Sequence, residues 1–258
     1  RMVVKPRILV VGATGAFGAR LAAMLARWDV DLILAARRVG PLEDLRQTLD
    51  RPDRITVASL DRASPRLADL KPWAVVDAAG PFQVSDLSLA RAAIALGAHY
   101  VDLADGRDFV ARFPAALDDE ARAAGVLAVT GASSTPALSN AALDGLTRGW
   151  RVVDSAIVAI SPGARAPRGR SVVAAILSYV GRPVRVFSAG RWTLRPGWSG
   201  PRRVHIPGLG RRWGSLCETP DLDVLPARFG VRREALFLAG AELPLMHLGL
   251  WLLSWPVR

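Results

Sequence analysis

Ile8-Leu9-Val10-Val11-Gly12-Ala13-Thr14-Gly15-Ala16-Phe17-Gly18 decides how the first half of this 258-residue chain folds. A short apolar run ends in three glycines spaced three apart, and a helical pattern follows at once. That pattern turns a buried first strand into a helix. Gly12 permits the tight turn, Gly15 lets a ligand approach the backbone, and Gly18 lets the helix pack closely on the sheet. The unpaired N–H groups and the dipole at the start of that helix favour an anion, so a dinucleotide pyrophosphate is the expected ligand. The plainer alternative is that the glycines serve helix–sheet packing alone.

Working outward, short apolar runs alternate with helical patterns. Strands are expected at 7–11, 30–36, 54–58, 74–78, 99–103 and 126–130. Helices are expected at 15–28, from Pro41 onward, and at 83–96, 107–123 and 136–150, with Gly125 stopping the fourth. Six strands in this rhythm predict an α/β fold, a Rossmann-type doubly wound parallel sheet of order 3-2-1-4-5-6. Its ligand lies at the carboxyl ends, near the switch between strands 1 and 4. After residue 150 the rhythm changes. Strands are expected at 152–160, 184–193 and 202–206 and a helix at 171–179, a second, smaller α+β domain. The expected division is thus 1–150, dinucleotide-binding, and 151–258, for substrate or dimerisation.

Charge follows the same division. Residues 1–150 carry 18 basic and 17 acidic side chains, whereas 151–258 carry 16 and 6. Between Asp154 and Glu218 there is no acidic residue and there are eleven arginines. Those arginines could hold an anionic substrate; the alternative is a solvated surface in a chain that has almost no lysine. The stretch 235–257 is strongly apolar and is read as a core helix, or a helix pair broken at Pro244. Glu242, Pro244 and His247 leave no run of about 18 apolar residues, so contact with a membrane surface is a less favoured reading than burial.

Cys217 is the single cysteine, which excludes an intrachain disulfide and fits a cytoplasmic protein. His99, His205 and His247 share no ligand spacing, so no metal site is expected. The first strand begins within about seven residues of Arg1, so no signal peptide is expected. The chain stops at Arg258 directly after the apolar stretch, and natural sequence is expected to continue beyond it.

Strand 2 ends in Ala36-Arg37-Arg38, where an acidic residue would accept hydrogen bonds from a ribose. Two guanidinium groups there can clamp a 2′-phosphate instead, which favours NADP over NAD. Asp61, after strand 3, is placed to reach an adenine amino group or to cap a turn. Strand 4 runs into Asp77-Ala78-Ala79-Gly80-Pro81-Phe82, whose small residues let a cofactor cross the strand end near the nicotinamide ribose. On strand 5, Tyr100 and Asp102 share one face and are the candidate catalytic acid, base or ribose ligands; the alternative is a structural hydrogen-bond network. The tyrosines are Tyr100 and Tyr179 and the lysines Lys5 and Lys71, so the Tyr-x-x-x-Lys pair of short-chain dehydrogenases does not exist here.

Together VVGATGAFGARLAAML, LILAARR, VVDAAGPF, GAHYVDLADG and GASSTPALSN resemble the saccharopine dehydrogenase-like (saccharopine reductase-like) NADP-binding family over about residues 5–145. The resemblance implies a Rossmann domain with a second α+β domain, NADP or NAD as cofactor, and redox chemistry at a C–N bond. It places Gly12, Thr14, Gly15, Ala16, Phe17 and Gly18 on the pyrophosphate and Arg37 on the adenosine phosphate. Gly80, Pro81 and Phe82 fall beside the nicotinamide, and Tyr100 and Asp102 in the strand-5 motif. Family members often carry Gly-Glu where this chain has Ala104-Asp105-Gly106. The resulting expectation is an NADP-dependent oxidoreductase passing hydride to or from a carbonyl or imine carbon of a small anionic substrate, as a homodimer without nucleic-acid partners. The alternative is a dinucleotide-binding sensor or scaffold, with or without membrane-surface association.

Overall fold

The computed structural model describes residues 5–163, 177–240 and 244–254. Its contacts separate two compact units, 1–133 and 134–258.

The first unit is a six-stranded parallel sheet of order β3-β2-β1-β4-β5-β6. Its strands are β1 (Arg7–Val11), β2 (Asp31–Ala36), β3 (Ile55–Ser59), β4 (Ala74–Asp77), β5 (His99–Asp102) and β6 (Ala128–Val129). The helices are α1 (Ala16–Leu25), α2 (Gly40–Thr48), α3 (Ser88–Ala95) and α4 (Arg107–Ala124). β1 pairs with β2 on one side and β4 on the other, so the chain reverses its direction of travel across the sheet there. Apolar clusters cover both faces: Val10, Leu32, Leu34 and Leu42 on one, Leu9, Val75, Tyr100 and Phe113 on the other. Burial on both faces explains the near-continuous apolar strands. Each such leucine contributes about 1.5–3 kcal/mol by leaving water.

Two helix starts differ from expectation. The helix expected from residue 83 starts only at Ser88. Phe82–Val84 form a 3-10 turn instead, and the Asp86 carboxylate accepts the Ser88 amide at 3.0 Å. The helix expected over 136–150 is α5 (Ser139–Leu146), preceded by the irregular turn Ser134–Leu138 in which Thr135 is extended. Those residues pack with the second unit. Ser139 Oγ donates to Asp221, and Leu143 touches the cluster of Val153, Leu225 and Ala235.

The second unit holds a mainly antiparallel sheet of order β10-β11-β12-β8-β9, with β7 added in parallel to β12. The strands are β7 (Ser155–Ile160), β8 (Pro183–Ser188), β9 (Arg191–Pro196), β10 (Arg202–Ile206), β11 (Gly210–Leu216) and β12 (Glu234–Ala239). The helices α6 (Asp221–Phe229) and α7 (Pro244–Leu253) complete it. The single strand expected over 184–193 is a hairpin, because Ala189 and Gly190 both take positive φ and reverse the chain. The apolar stretch read as helical from residue 235 is corrected: 235–239 form the central strand of this sheet, and helix starts only at Pro244. A short run buried on both faces has no period that separates strand from helix. Residues 171–176 of the expected helix lie outside the described residues. Among the described residues no helix is long and apolar enough to cross a membrane.

Candidate functional site: a dinucleotide cradle

The glycine loop is built by close backbone approach. Gly12 has φ +77° and donates its N–H to the Ala35 carbonyl at 2.8 Å. A Cβ on Gly12 would lie 2.8 Å from Ala79 Cα, which locks the loop against the end of β4. A Cβ on Gly18 would lie 2.2 Å from the Gly12 carbonyl oxygen, so only glycine lets α1 start this close to its strand. Thr14, Gly15, Ala16 and Phe17 are exposed on the rim. No side chain caps α1 and its first turn carries no acid, so its first amides and dipole face solvent ready for an anion. Ala13 is different: its methyl is fully buried and its N–H goes to Ala35, so it shapes the loop from below.

Arg37 and Arg38 follow β2 on the exposed rim, and among the described residues no carboxylate pairs with either. Asp61 follows β3, exposed, with one carboxylate oxygen accepting the Ala63 amide at 3.0 Å in a turn. The carboxyl ends of β1, β2, β3 and β4 thus bring the predicted cofactor residues to one edge of the sheet, around the β1/β4 switch. The Phe82 side chain points inward, buried edge-to-face on Phe109 at 5.3 Å, so it anchors the Gly80-Pro81-Phe82 turn.

Beneath that turn lies a buried polar network that includes one residue the sequence did not single out. Asp77, at the end of β4, is fully buried. Arg62 Nε donates to Asp77 Oδ2 at 2.6 Å, the Tyr100 hydroxyl donates to the same oxygen at 3.2 Å, and the Ala79 amide donates to Oδ1 at 3.0 Å. The Arg62 guanidinium sits 5.2 Å from the Phe82 ring centroid and 5.9 Å from that of Phe109. Burial pushes the Asp77 carboxyl above its ordinary value, while Arg62 and the other donors oppose that shift. An arginine after a strand is ordinarily solvated. The readable signal was Asp77 itself, an acid ending an apolar strand that must find a partner if buried.

Tyr100 and Asp102 do share a face, as alternation predicts, and both are fully buried. Tyr100 stacks on Phe113 at 5.8 Å, and burial with nearby Asp77 and Asp102 pushes its hydroxyl well above pH 10. Asp102 Oδ1 accepts the Gly131 amide at 2.8 Å, the Ala104 amide at 2.9 Å and the Thr130 hydroxyl at 3.0 Å. These bonds pin the end of β5 to the segment after β6, while Oδ2 is buried without a partner. In this geometry the Tyr100 hydroxyl and Asp102 Oδ1 are both engaged in internal hydrogen bonds.

Burial raises Asp102 to about 6. The folded chain therefore holds a proton that the unfolded chain has released between about pH 4 and pH 6. Its contribution to stability is present at low pH and is lost as pH rises through that window. Asp77, Asp105 and Asp221 are shifted the same way by burial. Asp102→Asn keeps the Oδ1 acceptor and removes the titration. Urea unfolding across pH 4–7 is expected to show a shallower fall in stability for Asp102→Asn, by up to about 3 kcal/mol. Equal slopes in the two proteins would contradict this assignment.

Among the described residues no group of three or more His, Cys, Asp or Glu could hold a metal ion. Cys217 is buried and its thiol is pushed up to about 12 by burial, which leaves it inert.

The fold and this edge define a class. Residues 8–129 match the family described as saccharopine dehydrogenase NADP binding domain. The first unit is thus similar to the NADP-binding domain of saccharopine dehydrogenases, and that likeness supports NADP, with NAD the alternative, as the cofactor. The chain is similar in structure to the apo, L-Glu-forming saccharopine dehydrogenase of Saccharomyces cerevisiae, with TM-score 0.64 and 13% identity over 92% of this chain and 54% of that one. It thus spans about half the length of that enzyme. It is more distantly similar to GenD2 from gentamicin A biosynthesis in complex with NAD (TM-score 0.46, 19% identity, 93% and 66% covered). A short-chain dehydrogenase from Streptomyces avermitilis also matches (TM-score 0.38, 20% identity, 50% and 65% covered). No curated protein sequence matches the chain.

Proposed function

We propose that this chain is an NADP-dependent oxidoreductase acting on a carbonyl or imine carbon of a small, anionic substrate. The observation that carries the cofactor half is the cradle: an uncapped helix start held close to its loop by Gly18, a loop set against the end of β4 by Gly12, and two flanking arginines that pair with no carboxylate among the described residues. When bound, the nicotinamide supplies or accepts the hydride. The chain's own residues bind and orient it. The first amides of α1, around Ala16, Phe17 and Gly18, receive the pyrophosphate, and Arg37 and Arg38 receive the 2′-phosphate. Ala79, Gly80 and Pro81 form the small-residue floor beside the nicotinamide end, held from below by Phe82, Asp77 and Arg62.

In this reading Tyr100 and Asp102 position rather than touch substrate. Tyr100 supports Asp77 beneath the turn, and Asp102 ties β5 to the chain beyond β6. Their burial is the specific observation that favours a second reading, an NADP-binding protein without turnover. The two separate in one experiment. Oxidation of NADPH against a panel of keto acids, aldehydes and cyclic imines supports the enzyme, while tight binding with no turnover across the panel supports the sensor.

Arg37→Ala is expected to weaken NADPH about 10- to 150-fold, because a charge-assisted, bidentate contact of about 1.5–3 kcal/mol is lost, and to leave NADH within about twofold. Fluorescence titration of both nucleotides checks this. An equal loss for both would move Arg37 off the 2′-phosphate.

A further inference from the structure

We propose that the second unit docks on an anionic phospholipid bilayer through the outer face of α7 and the adjoining face of β10 and β11. The first observation is that α7 is apolar on the side away from the sheet as well as on the side toward it, where Leu250 packs against the core. Its polar His247 is buried, with Nε2 3.0 Å from Ser215 Oγ on β11, and Ser254, just past its end, is also fully buried. Leucines also face outward: Leu245 is 81% exposed, Leu252 52% and Leu248 45%. Positions 245, 248 and 252 lie three and four residues apart, on one side of the helix. A helix against water places its apolar stripe inward, so a continuous leucine face outward marks a surface that something apolar covers.

The second observation says what covers it. Arg211 and Trp213 lie on the same face of β11 as Ser215, the residue that α7 packs against. On β10, Arg203 lies opposite Trp213 and His205 opposite Arg211, so all four side chains share that face, and all four are exposed. The Arg203 guanidinium stands 5.0 Å from the Trp213 ring centroid. Among the described residues no carboxylate pairs with Arg203 or Arg211, and none exists anywhere in the sequence between Asp154 and Glu218. An apolar helix face beside arginines and an exposed tryptophan has the two-part chemistry of an interfacial surface. Leucines enter the acyl boundary, and cations meet phosphate headgroups with the indole between them. Among the described residues no helix is long and apolar enough to cross a membrane, so α7 is proposed to lie in the interface plane. A second copy in two-fold symmetry would bring this basic face against its own duplicate. A nucleic acid would give the leucines nothing to cover them.

The test is co-sedimentation of the whole chain with large vesicles, of phosphatidylcholine alone and of phosphatidylcholine mixed with phosphatidylglycerol. Binding is expected to the mixed vesicles only, and to weaken as salt is raised. Leu248→Glu/Leu252→Glu is expected to abolish it, and Arg203→Ser and Arg211→Ser to weaken it about fivefold each. All four positions are exposed; unchanged circular dichroism and NADPH affinity report an intact fold. Failure to bind mixed vesicles overturns the proposal, as does binding that survives the leucine substitutions. So does a native dimer that Leu248→Glu/Leu252→Glu converts to a monomer, or a complex with a single-stranded oligonucleotide in place of vesicles.

Discussion

Gly18→Ala is expected to remove NADPH binding, with affinity reduced at least about 100-fold. The added Cβ lies 2.2 Å from the Gly12 carbonyl oxygen and 2.9 Å from Ala13 Cα. Both obstacles are backbone, so no side chain can turn aside. The helix start must move away from the loop by about 1 Å, and misplacement on that scale costs about two orders of magnitude where aligned donors meet a ligand. Overpacking of this kind also costs about 1–3 kcal/mol of stability. Gly12→Ala should behave alike, since its Cβ meets Ala79 at 2.8 Å and its φ of +77° disfavours any side chain. Titration by NADPH fluorescence, with urea unfolding beside it, checks both variants. Affinity within about threefold of the native chain would mean that the loop does not hold the pyrophosphate.

Arg62→Ala is expected to destabilise the first unit by about 3–5 kcal/mol, the largest stability effect of any single side chain in the cradle. The cause is the partner left behind. Asp77 is fully buried and would retain only the Ala79 amide and the Tyr100 hydroxyl against the cost of its charge. The arginine's Nε–Oδ2 contact of 2.6 Å, with 16% of its side chain exposed, is little screened by solvent. Removing both charges should be far milder. Arg62→Met/Asp77→Asn keeps an acceptor for Ala79 and refills the space beside Phe82, and should recover to within about 2 kcal/mol of the native chain. A double-mutant cycle by urea unfolding reads the coupling. A loss below about 1 kcal/mol for Arg62→Ala would show that the pair carries no stability.

The first unit was legible because each of its signals was local and redundant. Glycines sat where a strand had to turn into a helix, and Gly125, at φ +65°, closed α4 as a C-terminal glycine should. The strand order followed from the alternation of apolar runs and helices. Less legible was the second unit, where Arg-rich β11 lacks an apolar period and α6 carries Pro226 inside it. The run at 235–239 is buried on both faces, so its pattern matched helix and strand equally. The site divides the same way. Residue type and spacing were enough to place the loop and the arginines on the exposed rim at the strand ends. Arg62 was not, because its role depends on a partner fifteen residues away whose burial only the packed sheet reveals. Tyr100 and Asp102 were singled out as polar residues at a strand end, and folding spends both on internal hydrogen bonds.

The most direct test of the cradle is an equilibrium titration of the purified chain with NADPH and with NADH at one salt concentration. The two arginines after β2 and the uncapped start of α1 predict saturable binding of one nucleotide per chain, with NADPH at least about tenfold tighter than NADH. Failure of either nucleotide to saturate the chain, or a preference for NADH, would contradict it.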